Sequence, residues 1–224
     1  MIYNDYFPNV IPKDIYSKLN KDKAVNYHFR SDNVGKCAKI FDEFRKSNEK
    51  QSKAGWQRYY FKHQPKEPLQ IASEYISKKY DINIDAAKKY VHYRVIGQTW
   101  NGMVTEFNVI RELEQVYHNI MFMKTDYEID EEYFTDWEAY YMNSLVKNKV
   151  LLFGIQIKPI SYEKMNHPYQ LKAKENHNIQ AEAYKERFKV PHVMVYYDNG
   201  KIYEAEDLCN RINTILVYNI KVNI

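Results

Sequence analysis

Cysteine is nearly absent from this chain. The two that occur, Cys37 and Cys209, lie far apart and without metal-ligand spacing. A disulfide framework is thereby excluded, and a reducing, cytoplasmic setting is the expectation. Glycine is scarce as well, with six scattered residues and no low-complexity linker or internal repeat around them. Long apolar runs are missing: none approaches the roughly 18 residues that span a bilayer. The first residues, "MIYNDYFPNVIPKD", contain Asp5 and Pro8, so neither a signal peptide nor a basic transit peptide is expected there. The seven histidines sit singly. His177 and His192 bracket a helical stretch, but nothing completes a zinc set around them.

What is present is an uneven charge. The net charge of +4 combines 19 Lys/Arg against 11 Asp/Glu in residues 1–100 with an acidic excess in the remainder. A basic half beside an acidic half suits phosphate tracking by the first and carboxylate chemistry in the second. Tyrosine is abundant, at 22 residues, which fits either a base-stacking surface or an AT-rich genome. With 224 residues the chain can bury a sizeable core.

Periodicity gives the coarse organisation. "IPKDIYSKLNKD" and "GKCAKIFDEFRKS" carry helical stripes, and Pro68 opens a third helix over "PLQIASEYISKKY". "KAGWQRYYFKHQPKEP" reads as a loop or hairpin. "DINIDAAKKYVHYRVIG" reads as a helix with Asp81 or Asp85 as cap and Gly97 as stop. In the second half, "GMVTEFNVIRELEQVY" is an amphipathic helix. "NIMFMKTDYEID" and "EYFTDWEAYYM" read as strands joined by a tight, solvated acidic turn. "KVLLFGIQIKPI" is a buried strand, "NIQAEAYKERFKVP" a helix, and "HVMVYYDNGKIYEAED" a hairpin about Asp198-Asn199-Gly200. "LCNRINTILVYNI" closes the chain as helix or strand. The expected fold is α/β (α+β): a mixed central sheet flanked by helices, behind a mainly helical N-terminal region.

One constellation carries chemistry. Gln156 and Lys158 project from the same face of the "GIQIKP" strand, and Pro159 marks its end. An ammonium there needs an opposite charge, and Asp136 is the nearest in sequence. An acid, an amide and a lysine together suit a hard divalent cation bound through oxygen. The alternative is a buried salt bridge with a hydrogen-bonded amide.

These residues carry a resemblance. Asp136 followed by Gln156-Ile157-Lys158, on the right elements in the right order, resembles the PD-(D/E)XK nuclease superfamily in its variant with Gln before x-Lys. "TDWEAYY" and "GIQIKP" together resemble the MjaI-type type II restriction endonucleases that cut CTAG. The resemblance covers about residues 100–205. It implies a restriction-endonuclease-like fold and a Mg²⁺-dependent endonuclease. Asp136, Gln156 and Glu106 would hold metal, and Lys158 would position the attacking water. Thr135 stands where the family often has proline, and Gln156 replaces an acid. That loss of charge leaves Glu106 or Glu138 to supply the extra carboxylate.

Residues 1–100 then read as a basic DNA-recognition region and 101–224 as the catalytic core. Trp56, Arg58 and Lys62 are candidates for contact with phosphates and bases, with burial of Trp56 an equal alternative. Arg94, Gln98 and Asn101 are candidates for reading base edges. A palindromic site implies a homodimer, and a restriction role implies a companion DNA methyltransferase. A non-catalytic nucleic-acid-binding module on a nuclease scaffold, and a repair or junction-resolving nuclease, stand as alternatives.

Overall fold

The computed structural model describes residues 11–143 and 148–223. Most of the N-terminal stretch discussed above lies outside them. The chain divides into two compact units, Met1–Met103 and Val104–Ile224.

The first unit is helical: α1 (Lys13–Lys21), α2 (Lys23–Tyr27), α3 (Ser31–Val34), α4 (Cys37–Lys46), α5 (Lys53–His63), α6 (Glu67–Tyr80) and α7 (Ile84–His92). The segment expected as a loop or hairpin is α5. Two local signals explain the correction. The Ser52 hydroxyl accepts from Gly55 N at 3.1 Å, an N-cap. Trp56 and Tyr60, one turn apart, are both fully buried. Asn83, rather than Asp81 or Asp85, caps α7 by accepting from Asp85 N at 2.7 Å. Gly97 stops nothing: residues Tyr93–Gly97 form a π turn that passes into α8 (Gln98–Val116). A side chain at Gly97 would press on the Tyr93 ring, 2.7 Å from its Cδ2. That close approach is the reason for glycine there.

Trp56 closes the centre of this unit. Its ring packs against Phe41, Phe44 and Tyr60 with centroids 4.9, 5.8 and 5.6 Å away, and its Nε1 donates to Ile96 O at 3.2 Å. An indole so enclosed packs; it does not stack on bases. Trp56→Ala is therefore expected to lower stability by about 3–5 kcal/mol while leaving the DNA affinity of the folded fraction unchanged. Denaturant titration beside a DNA-binding isotherm checks both halves.

The second unit is built on a sheet of order β1-β2-β3-β4-β5: β1 (Ile120–Lys124), β2 (Trp137–Asn143), β3 (Asn148–Pro159), β4 (His192–Asp198) and β5 (Lys201–Ile202). All neighbours are antiparallel except the β3–β4 pair. A parallel pair needs a crossover, which α10 (Ile160–Glu163) and α11 (Pro168–Phe188) supply. The chain closes with α12 (Ala205–Asn223), a helix where helix and strand had both been open. Between β1 and β2, the expected acidic turn is in fact a helix, α9 (Tyr127–Tyr133).

One face of the sheet is apolar. Trp137, Ala139, Phe153, Ile155, Ile157, Val193 and Val195 bury themselves with Val109, Ile110 and Leu113 of α8 and Leu208 and Ile212 of α12. On the other face a Cβ at Gly154 would lie 2.6 Å from Tyr184 Cε1, so glycine lets α11 lie directly on β3. This is an α+β, restriction-endonuclease-like fold. Among the described residues, no helix is long and apolar enough to cross a membrane.

Candidate active site

Strand pairing places the acid. The Asp136 N–H donates to Ile155 O at 2.8 Å, but regular pairing of β2 with β3 starts only at Trp137. Beyond that point Ile157 N has no partner strand on the β2 side. The Asp136 carboxylate takes its place, accepting from Ile157 N at 2.8 Å through Oδ2. The backbone on the other side is fixed too, because Thr125 donates to Asp136 O from its amide at 3.1 Å and its hydroxyl at 2.9 Å. Asp136 is thus held at three points and is only 4% exposed.

Gln156 joins it directly. Its Nε2 donates to Asp136 Oδ2 at 2.6 Å. That contact fixes the amide orientation, because the reverse would set two oxygens against each other. Oε1 is left buried, without a hydrogen-bond partner among the described residues. A buried acceptor without a partner is costly and calls for an explanation. A carboxylate at this position would repel Asp136, whereas the amide donates to it.

Lys158 lies two residues on, half-buried, with Nζ 4.6 Å from the centroid of the Phe134 ring. The same ring stacks on His177 at 3.8 Å and 11°, and His177 Nδ1 meets the Tyr162 hydroxyl at 2.8 Å. Burial, and after it the Lys158 charge, keep the His177 pKa below its ordinary value. His192 is tied to Phe134 O at 2.9 Å. The two histidines therefore have structural roles, both of them against Phe134. Phe134 itself has φ 53°, a left-handed conformation that is uncommon for a bulky residue. It ends the Tyr127–Tyr133 helix and turns the chain into Thr135-Asp136.

A family model described as MjaI restriction endonuclease matches residues 19–206. The chain belongs to the MjaI restriction endonuclease family. It is therefore a type II restriction endonuclease, a site-specific nuclease that binds DNA. No curated protein and no solved structure matches it.

In this MjaI-family enzyme two charged groups escaped the sequence reading. Lys124, the last residue of β1, donates to Glu106 Oε2 at 2.8 Å and lies 3.6 Å from Asp136 Oδ1. Burial alone would lower its pKa, but the charges of Glu106 and Asp136 outweigh that and raise it. Asp130, taken for part of a solvated turn, is close enough to Asp136 to feel its charge. Burial, followed by the Asp136 charge, pushes its pKa up to about 6. Glu106 rises to about 7 for the same two reasons in the same order. Sequence spacing offers no signal for Lys124, since its neighbours in space are 18 and 12 residues away. Asp130 was recoverable only by reading "YEIDEEY" as a helix.

Glu138 is engaged elsewhere. Its two oxygens accept from the Tyr140 and Tyr184 hydroxyls at 2.6 and 2.8 Å. Glu106, by contrast, is linked to Asp136 through Lys124.

In the first unit, Arg58 and Lys62 are exposed one turn apart on α5. Gln98 is exposed and Asn101 half-buried in the first turn of α8. Arg94 has a packing role: it donates to Asn20, Asn26 and the Tyr90 hydroxyl at 3.0–3.2 Å and lies 4.7 Å over Phe29.

Proposed function

We propose that this restriction endonuclease hydrolyses double-stranded DNA at CTAG in a Mg²⁺-dependent reaction, with Asp136, Gln156 and Lys158 as its working residues. The observation that carries the reading is Gln156 Oε1, buried and without a partner beside the Asp136 carboxylate. Hard oxygen donors of this kind suit Mg²⁺. Among the described residues no three His, Cys, Asp or Glu are gathered to hold a metal, so the amide oxygen is an essential part of the donor set.

In this reading Asp136 and Gln156 Oε1 hold the ion, with Glu106 as the further carboxylate. A bound Mg²⁺ would polarise the scissile phosphate and acidify a water. The protein does the rest. The Ile157 amide and Thr125 keep Asp136 from rotating, so its second oxygen, Oδ1, is pre-aimed. The Lys158 ammonium, resting on the Phe134 ring, orients the attacking water and offsets the charge that builds on the phosphate.

CTAG follows from the resemblance of "TDWEAYY" and "GIQIKP" to the MjaI-type enzymes. A palindromic target is met by a homodimer, because a two-fold site calls for a two-fold protein. A DNA methyltransferase would protect the host's own sites. Residues 1–100 form the DNA-recognition region in this reading, with Arg58 and Lys62 on phosphates and Gln98 and Asn101 toward bases.

Digestion of unmethylated plasmid and phage DNA, with Mg²⁺ or with EDTA, tests the proposal. Discrete Mg²⁺-dependent fragments with ends inside CTAG support it. A smear, or preference for branched DNA, points to a non-specific or junction nuclease, and intact DNA to a binding module. Replacing Arg58 and Lys62 together by alanine is expected to weaken binding to all sequences alike and to lower the slope of log K against log[salt] by about 2. An unchanged slope would remove both from the phosphate contacts.

A further inference from the structure

Lys124, which bridges Glu106 and Asp136, has no role in the reaction described above. Two carboxylates, Glu106 and Asp136, flank one ammonium in a largely buried part of the second unit. Buried like charges repel strongly and need a counter-charge. Lys124 supplies it. Its ammonium, on a side chain 9% exposed, lies 2.8 Å from one carboxylate and 3.6 Å from another. A small cation gripped by two carboxylate oxygens is what a metal site looks like with nitrogen in the metal's place. Gln156 meets the other oxygen of the same carboxylate, donating to Asp136 Oδ2 through Nε2 at 2.6 Å.

We propose that Lys124 is the resident cation of this site, competing with the divalent metal ion for Asp136 and Glu106. This rests on the metal-dependent reading above. An ammonium and a divalent ion cannot share these two oxygens at close range, because their mutual repulsion in a poorly solvated site is large. For the metal to enter, the ammonium withdraws. The lysine stem is long and flexible, and the Trp137 ring, with its centroid 5.8 Å from Nζ, offers a cation a second resting place. The free protein therefore binds metal weakly, and the phosphates of bound DNA add the negative charge that tips the competition.

The test is Mn²⁺ binding to the full-length protein without DNA, followed by calorimetry and by the Mn²⁺ spin-resonance signal. Lys124→Met keeps the stem and removes the charge. It is expected to bind Mn²⁺ about tenfold more tightly or better than wild type, since tenfold corresponds to about 1.4 kcal/mol of relieved repulsion. Lys124→Arg, which keeps the charge, is expected to stay as weak as wild type. Equal or weaker binding by Lys124→Met overturns the proposal and leaves the metal-dependent nuclease intact. Failure of Mn²⁺ to bind either protein, with or without DNA, overturns both. Should Lys124→Met not fold, a crystal of the wild-type protein soaked in Mn²⁺ decides. The Lys124 ammonium is expected to have left Glu106 Oε2 when Mn²⁺ is bound at Asp136, and an ammonium still in place beside the ion contradicts the proposal.

Discussion

Asp136→Asn is expected to lower the rate of DNA cleavage by about a thousandfold or more, with folding preserved. The size follows from the charge that is lost. Metal-centred stabilisation of a phosphoryl transition state amounts to several kcal/mol, and each 1.36 kcal/mol is about a factor of ten in rate. Folding is preserved because an asparagine side chain still offers an oxygen to Ile157 N, and Thr125 still binds the backbone carbonyl. Lys124 keeps Glu106 as a partner. Single-turnover cleavage of a labelled duplex gives the rate, and a melting curve gives the stability. Cleavage within tenfold of wild type would remove Asp136 from the reaction.

Lys158→Ala is expected to separate binding from cutting. Proton transfer and water positioning by a side chain contribute about 10²–10⁴-fold. The cleavage rate should fall by that amount while duplex affinity in Ca²⁺ changes little. Removal of the lysine uncovers the Phe134 face on which it rests but breaks no ion pair with Asp136, whose cationic partner is Lys124. Lys158→Arg is not expected to rescue activity, because a planar guanidinium presents its donors differently from a compact ammonium. A variant that loses binding and cutting in equal measure would make Lys158 a DNA-gripping residue instead. A fully active one would leave it a structural charge.

The chemistry-bearing strand was legible because strand periodicity needs only local sequence. Gln156 and Lys158 share a face, and Pro159 ends the strand. The order of elements from α8 to β5 was legible for the same reason, apart from the short Tyr127–Tyr133 and Ile160–Glu163 helices and the first turns of α11. The Tyr127–Tyr133 helix was lost because its acidic residues look like a solvated turn when hydrophobic periodicity is the guide. With it went Asp130, whose place beside Asp136 depends on the left-handed turn at Phe134. Lys124 was illegible for a different reason. A lysine at the end of a short strand has no local mark that separates a solvated charge from one enclosed between two acids. The α5 segment was misread because aromatic and basic residues crowd it. The decisive signals were Ser52 as a cap and the one-turn spacing of Trp56 and Tyr60. Gly97 shows the limit of glycine as punctuation: it serves close packing against Tyr93 inside a helical path.

The most direct test of the central claim uses one end-labelled duplex with a single CTAG, incubated with wild type and with Asp136→Asn, first in EDTA and then with Mg²⁺ added. Both proteins are expected to bind, only wild type to cut, cutting to begin on addition of Mg²⁺, and both strands to break within CTAG. Cleavage by wild type in EDTA, or equal cleavage by the two proteins in Mg²⁺, would contradict that claim.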